Sequence, residues 1–245
     1  MRNVWIIASR EFKLYFVSPL AYVVAGVMFL ILGLIFYINI GQAIAFGGGA
    51  AAADGRIVIG ALVWILLFAT PAITMRLLAD EYRMGTVELL LTSPVRDWEL
   101  VVGKWLGSFL YMILLLGLTW IYPLIIHCLT SPGIDQGILV SVYVGLLAMV
   151  AALLALGVLV SSFFKNAVAA FFATLGIVLV LWVIGGLAGL STEGSTWVSY
   201  LSFVDHFGDN FYRGVLDLAD LVYYVSVTAF ALFMAGQVVE SRRWR

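Results

Sequence analysis

The sequence predicts an all-α integral membrane protein with six transmembrane helices and an interfacial helix ahead of them. Three observations predict it. Of 245 residues, 64% are apolar and 11% charged, with a mean hydropathy of +1.10, where a soluble domain carries roughly 45–50% and about 25%. That much apolar side chain cannot be hidden in a soluble domain, because a large share of such a domain must be wetted. Six apolar stretches approach or exceed the ~20 residues that cross a ~30 Å hydrocarbon core. Finally, Lys and Arg collect at alternate breaks between those stretches.

Residues 1–18 come first. At 100° per residue, Arg2, Arg10 and Lys13 share a sector of about 80°, with Val4, Trp5, Phe12, Tyr15 and Phe16 across from it. This reads as a helix lying on the inner leaflet, although Glu11 intrudes on its apolar face and Ile6 on its polar one. The apolar run Val4-Trp5-Ile6-Ile7-Ala8 is too short for a signal peptide and is cut by Arg10-Glu11-Phe12-Lys13. Ser18-Pro19 then turns the chain into the membrane, since the residue before proline avoids helix and proline suits a first turn.

The spans are expected at residues 20–44, 57–75, 102–128, 138–163, 167–190 and 221–239. Turn residues separate most of them: Gly47-Gly48-Gly49 and Asp54-Gly55, then Ser131-Pro132-Gly133, then Phe164-Lys165-Asn166. Lys104 lies close enough to a span end to snorkel. Gly103/Gly107 and Gly185/Gly189 permit close helix approach, although glycine is common in membrane helices in any case. Two connections are long, 76–101 and 191–220. The positive-inside rule sets the orientation. Arg2, Arg10, Lys13, Arg76, Arg83, Arg96, Lys104, Lys165, Arg242, Arg243 and Arg245 fall on one side, and only Arg56 and Arg213 on the other. Both termini and the 76–101 loop are therefore expected in the cytoplasm, and an even number of spans agrees in putting the termini on one side.

Several chemistries are excluded. A net charge of −1 lacks the basic footprint of nucleic-acid binding. Cys128 is the only cysteine and His127 and His206 the only histidines, so neither an intramolecular disulfide nor a multi-cysteine metal cage is possible. The six spans place no ionisable group near the bilayer midplane, which argues against an ion-coupled carrier. There is no Gly-x-x-x-x-Gly-Lys-[Ser/Thr], His-Glu-x-x-His or Gly-x-Ser-x-Gly motif, and Gly103-Lys104-Trp105 puts Trp where a phosphate loop needs a hydroxyl.

The 76–101 loop carries the densest charge: Arg76, Asp80, Glu81, Arg83, Glu88, Arg96, Asp97 and Glu99, with Lys104 just beyond. Arg76/Asp80 and Asp80/Arg83 have helical spacing, so the second span is expected to continue past the membrane. Gly85 permits a break, and Thr86, Val87, Glu88, Leu89, Leu90, Leu91 and Thr92 read as a short helix stopped by Ser93-Pro94. Asp97 is expected to cap the next helix. A salt-bridged, solvated loop would explain the charges. Three leucines in the cytoplasm instead suggest an anchor for a groove on a partner.

In the outer connection Tyr200, Phe203, Phe207 and Phe211 recur every three or four residues, predicting a helix over 197–212 whose aromatic face dips into the outer interface. Asp205, His206 and Asp209 stand at i, i+1, i+4, a spacing open both to a bound cation and to a plain water-facing surface. Asp217 and Asp220 are expected to cap the last span, and His127-Cys128 to pack at an outer helix end.

Pro71, Thr74-Met75-Arg76, Asp80-Glu81, Gly85-Thr86, Glu88-Leu89-Leu90-Leu91, Pro94 and Gly103-Lys104, in that order and spacing, resemble the hallmark segment of ABC-2 type permeases, the membrane subunits of ATP-binding-cassette exporters. Ser18-Pro19-Leu20-Ala21-Tyr22 and the stretch from Phe207 to Asp220 look most like the gliding-motility-associated branch, with the nitrous oxide reductase maturation permease a near relative. The resemblance covers essentially the whole chain as one transmembrane domain. It implies a non-catalytic half-transporter of the bacterial inner membrane that dimerises, with a second copy or a paralogue, on a cytoplasmic ABC ATPase dimer. Residues Gly85 to Pro94 would form the coupling helix and its stop, and Arg76, Asp80, Glu81 and Arg83 the stalk. Short re-entrant helices would occupy the outer connection, with Phe203, Phe207 and Phe211 as an outer gate. The chain itself would bind no cofactor or metal; ATP and magnesium would sit on the separate ATPase, and an extracytoplasmic accessory protein would be a further partner. Two other readings stay open, a membrane enzyme built on Asp205/His206/Asp209 and an uncoupled channel or scaffold. An apolar path suits lipids, peptides or mechanical work on an outer partner.

Overall fold

The computed structural model describes residues 2–45, 56–85, 96–130, 133–188, 202–208 and 210–243. Among them every regular element is helical. An N-terminal helix, α1 (Arg2–Tyr15), leads to α2 (Pro19–Ala45), α3 (Arg56–Thr74) and the short α4 (Ala79–Met84). Next come α5 (Asp97–Thr119), α6 (Ile121–Leu129), α7 (Gln136–Phe163) and α8 (Ala167–Ala188). The short α9 (Phe203–Gly208), a 3₁₀ turn (Phe211–Arg213) and α10 (Leu218–Arg243) complete the chain. Six candidate membrane spans result, with α5 and α6 forming one of them.

Local chemistry places the boundaries. Pro19 opens α2, and the chain before it closes in a tight turn in which the Val17 and Ser18 amides both donate to the Leu14 carbonyl. The break between α5 and α6 falls at Trp120, three residues before Pro123. Proline has no N–H to offer the Thr119 carbonyl, and the Trp120 amide turns to Gly117 in a 3₁₀-type bond. The span expected over 102–128 therefore remains one span, with a local break at Trp120 set by Pro123. Asp217 caps α10, accepting from the Ala219 amide at 2.9 Å.

At the start of α5 the expected cap is displaced by one residue. Arg96 occupies the cap position, and the Glu99 carboxylate accepts from the Arg96 amide at 3.1 Å. Asp97 is therefore the first helical residue rather than the cap.

The core sits around α7, whose Val142, Leu146, Met149, Val150, Leu153 and Leu154 are buried among residues of α3, α5, α8 and α10. Glycine sets two of its contacts. A Cβ at Gly145 would lie 2.5 Å from the Phe211 ring, and one at Gly157 would overlap the Thr74 side chain. By contrast α2 exposes most of its length, including Tyr22, Val23, Val27, Leu30, Leu34 and Tyr37. Within one chain these apolar side chains are left for lipid or for another polypeptide.

The outer connection differs from one helix over 197–212. Residues 189–201 and Asp209 lie outside the described residues, and the rest forms α9 and a separate 3₁₀ turn ended by Gly214 at φ 91°. The aromatic face turns inward: Phe203, Phe207 and Phe211 are fully buried in the main core rather than dipping into an interface. The Tyr224 hydroxyl donates to the Phe203 carbonyl at 2.7 Å, fixing α9 to α10.

Candidate functional site

Side-chain hydroxyls bind the backbone on both sides of the segment after α3. Pro71 lies inside α3, and Thr70 and Thr74 donate their hydroxyls to the carbonyls of Leu66 and Thr70 at 2.8 and 2.9 Å. The helix ends at Thr74 and residues 75–78 form turns before α4 begins. The amides of Leu78 and Ala79, orphans at a helix start, both donate to Ser161 Oγ at 3.1 Å, and that hydroxyl donates onward to the Met75 carbonyl at 3.3 Å. Ser161 thus caps α4 from the end of α7. Gly85 closes α4 with φ 70°, a left-handed conformation that only glycine adopts freely.

The charges of the stalk divide into two sets. Asp80 pairs with Arg83 at 3.5 Å, the i,i+3 partner rather than Arg76. Glu81 reaches into the protein and meets Lys104 of α5 at 2.8 Å. Lys104 also contacts Glu11 of α1 at 2.8 Å. Lys104 is 3% exposed and Glu11 8%, so Lys104 does not snorkel to water; the two carboxylates hold it inside. The same contact explains why Glu11 interrupts the apolar face of α1. Tyr82 packs with Leu77, Leu78, Val101, Val158 and Val239 in a second small core, and the Arg242 guanidinium lies 4.3 Å from the Tyr82 ring centroid. Arg242 also donates to the Phe163 carbonyl at 2.9 Å.

Helix α1 is bound to the same end. Gly103 and Gly107 let its backbone approach α5 closely: a Cβ at Gly103 would lie 2.8 Å from Ile7, and one at Gly107 2.6 Å from the Glu11 Cβ and 2.9 Å from the Ala8 carbonyl. The small-residue pair therefore acts, but against α1 rather than another span. Asn3 donates to Glu99 at 3.1 Å, and Tyr15 stacks on Tyr111 with ring centroids 4.7 Å apart. Burial and the neighbouring Glu11 carboxylate push the Tyr15 phenol far above its usual range, so it stays protonated.

Of the sequence-predicted coupling residues, Gly85 terminates α4 as expected. Thr86, Val87, Glu88, Leu89, Leu90, Leu91, Thr92, Ser93 and Pro94 lie outside the described residues. Both approaches to them are fixed, α4 by Ser161 and Lys104, and α5 by Glu99. Sequence reasoning missed Ser161, Lys104 and Glu11 as members of this site. A serine 82 residues from its partner amide leaves no local pattern. Glu11 did leave one, as the residue that spoiled the apolar face.

At the opposite end His206 Nδ1 lies 2.6 Å from Asp220 Oδ1, and the His206 ring stacks on Tyr223 with centroids 4.0 Å apart. Asn210 donates to the other Asp220 oxygen at 2.8 Å. Asp220 therefore binds the outer connection instead of capping α10. Among the described residues no group of three or more His, Cys, Asp or Glu is placed to hold a metal ion.

A family model described as ABC-2 family transporter protein matches residues 5–207, from α1 through the 76–101 segment to α9. No curated protein matches the chain. The matched stretch covers well over half of the chain and includes Glu11, Glu81, Lys104 and Ser161. The chain belongs to the ABC-2 family of transporter proteins, multi-pass membrane permease subunits that work with an ABC ATPase.

Proposed function

We propose that the chain is the permease of an ATP-driven exporter in the bacterial cytoplasmic membrane, working as a dimer on two copies of a separate ATPase. The observation that carries this reading is the 86–94 segment, matched within the family and flanked on both sides by anchored helices. Residues Gly85 to Pro94 then dock in the ATPase, and Arg76, Asp80, Glu81 and Arg83 form the stalk that carries its motion. ATP and magnesium belong to the ATPase. Both termini face the cytoplasm, with the exposed Trp5, Ile6, Leu14 and Phe16 of the N-terminal segment in the inner leaflet. The second half is another copy or a paralogue, and the outer connection, anchored in the core by Phe203, Phe207 and Phe211, closes the outer end of the path. The Ser18–Tyr22 and Phe207–Asp220 stretches favour the gliding-motility-associated branch, in which work on an extracytoplasmic partner replaces or accompanies export.

The test is copurification. Replacing Leu90 and Leu91 with Ala removes buried apolar contact of about 1.5–3 kcal/mol per side chain if the loop is docked. Glu88→Lys reverses a charge at the same surface. The triple variant is expected to insert in normal amounts while ATPase recovery and permease-stimulated ATP hydrolysis fall. On a merely solvated loop such changes stay within about 0.5 kcal/mol, so unchanged recovery and stimulation would return the segment to a passive connection.

A further inference from the structure

We propose that Lys104, held by Glu11 and Glu81, is the positioning residue that makes α1 and α4 one moving body, so that the N-terminal helix travels with the loop that α4 feeds. The proposal rests on the reading of residues 86–94 as the ATPase-docking segment. It begins from an ion set drawn from three elements: Glu11 of α1, Glu81 of α4 and Lys104 of α5. Their side chains are 11%, 15% and 4% exposed. Burying three charges is expensive, and each is tolerated only while its partners stay in place. Such a tie does not stretch by degrees. Breaking either contact leaves a carboxylate or an ammonium in a site that water barely reaches.

The surroundings make the tie matter. A cavity of about 440 Å³ lies beside it, lined by Arg10 and Leu14 of α1, Ile73, Arg76 and Leu77 at the end of the second span, and Met84 of α4. The facing side chains of α1 and α4 thus leave open space between them, and the Lys104 ammonium bridges it. The other holds on α4 are the Ser161 hydroxyl of α7, the Arg242 guanidinium of α10 over Tyr82, and apolar packing with Val101 of α5. Helix α1 is meanwhile clamped along α5 by Gly103 and Gly107. Lys104 joins the two assemblies by ion pairs, beside the apolar contacts of Val101 and Tyr15. A displacement of α4 by the ATPase would reach α1 through this ammonium, and the adjacent cavity would accept α4 once the tie is lost.

The experiment measures the distance between spin labels at Lys13→Cys on α1 and Arg83→Cys on α4, in a Cys128→Ser background. The permease–ATPase complex is held in lipid nanodiscs, without nucleotide and with a non-hydrolysable ATP analogue. The expected wild-type result is a narrow 13–83 distribution that stays put when nucleotide binds, while the distance from 83 to a label at Leu218→Cys changes. Lys104→Met should broaden the 13–83 distribution and lower permease-stimulated ATP hydrolysis at least about fivefold, the lower bound of a typical coupling free energy. Lys104→Arg, for whose larger head the cavity has room, should retain both. If Lys104→Met does not fold, Glu11→Gln/Lys104→Met/Glu81→Gln leaves no unpaired buried charge and takes its place. A purely structural role would lower the yield of the methionine variants yet leave the folded fraction with a narrow distribution and full stimulation; that result, or a wild-type 13–83 distance that shifts with nucleotide, overturns the proposal. Failure of any ATPase to copurify with the wild type sinks the coupling reading instead. The nucleotide-free widths of wild type and Lys104→Met then still decide whether Lys104 ties the helices.

Discussion

Ser161 and Ser162 are neighbours on α7 with opposite consequences. Ser161 Oγ serves the amides of Leu78 and Ala79 and the carbonyl of Met75, all on a distant turn, whereas the Ser162 hydroxyl donates only to Leu159 of its own helix at 2.6 Å. Removing the first hydroxyl strands two N–H groups, and a buried group left without a partner costs about 1–3 kcal/mol. Removing the second frees a carbonyl that its own helix already satisfies. Ser161→Ala is therefore expected to lower the melting temperature in nanodiscs by roughly 4–24 °C, for two stranded groups at about 2–4 °C per kcal/mol for a chain of this size. Ser162→Ala should move it little, followed in both cases by tryptophan fluorescence. Equal melting of the two would remove Ser161 from its place as the cap of α4. Nothing in the sequence distinguishes these two serines, because the distinction lies in which one faces a turn far away along the chain.

Among the elements, α1 shows best what periodicity can and cannot reveal. Its helical pattern and its end before Ser18-Pro19 follow from the sequence alone. The face it buries does not, because a pattern of apolar residues does not say whether they meet lipid or another helix. Ala8 and Glu11 are buried against α5, while Trp5, placed on the expected apolar face, is 60% exposed. The glycines of α5 make this arrangement testable. Gly107→Ala sets a methyl against Glu11 and Ala8, and the helix clamped there must shift, carrying Glu11 away from Lys104. Gly117 on the same helix has open space around it, so Gly117→Ala should be neutral or slightly stabilising, by up to about 1 kcal/mol from helix propensity. Trypsin cleavage at Arg10 and Lys13 is expected to accelerate in the first variant only. Equal protection would show that α1 does not rely on close packing at Gly107. The outer connection was less legible for a related reason. The spacing of its phenylalanines gave the aromatic face, but the chain folds that face onto Gly145 and Tyr224 in two short pieces, the second ended by Gly214 at φ 91°.

For the whole molecule, composition and span length were enough for the fold class, because a bilayer leaves few ways to satisfy the backbone. The contacts add an internal check on the direction of each span. Glu11, Glu81, Lys104, Ser161 and Arg242 gather at one end, although they come from α1, the stalk after the second span, the start of the third, the end of the fourth and the end of the sixth. That is the alternation six spans demand, and the basic residues crowd the same end. The crowding of basic residues there is the ground on which this end is proposed to be cytoplasmic. Cys128 provides the test without any added cysteine, since it is exposed near the far end of the third span. In intact cells a membrane-impermeant maleimide should label wild-type Cys128. In a Cys128→Ser background, Arg83→Cys should resist the reagent until the membrane is opened, while Leu218→Cys, exposed at the start of α10, should react at once. Labelling of position 83 in intact cells with protection of 218 would invert the molecule. It would put the 86–94 segment outside, where no ATP-driven partner could reach it, and the coupling assignment would fall with the topology.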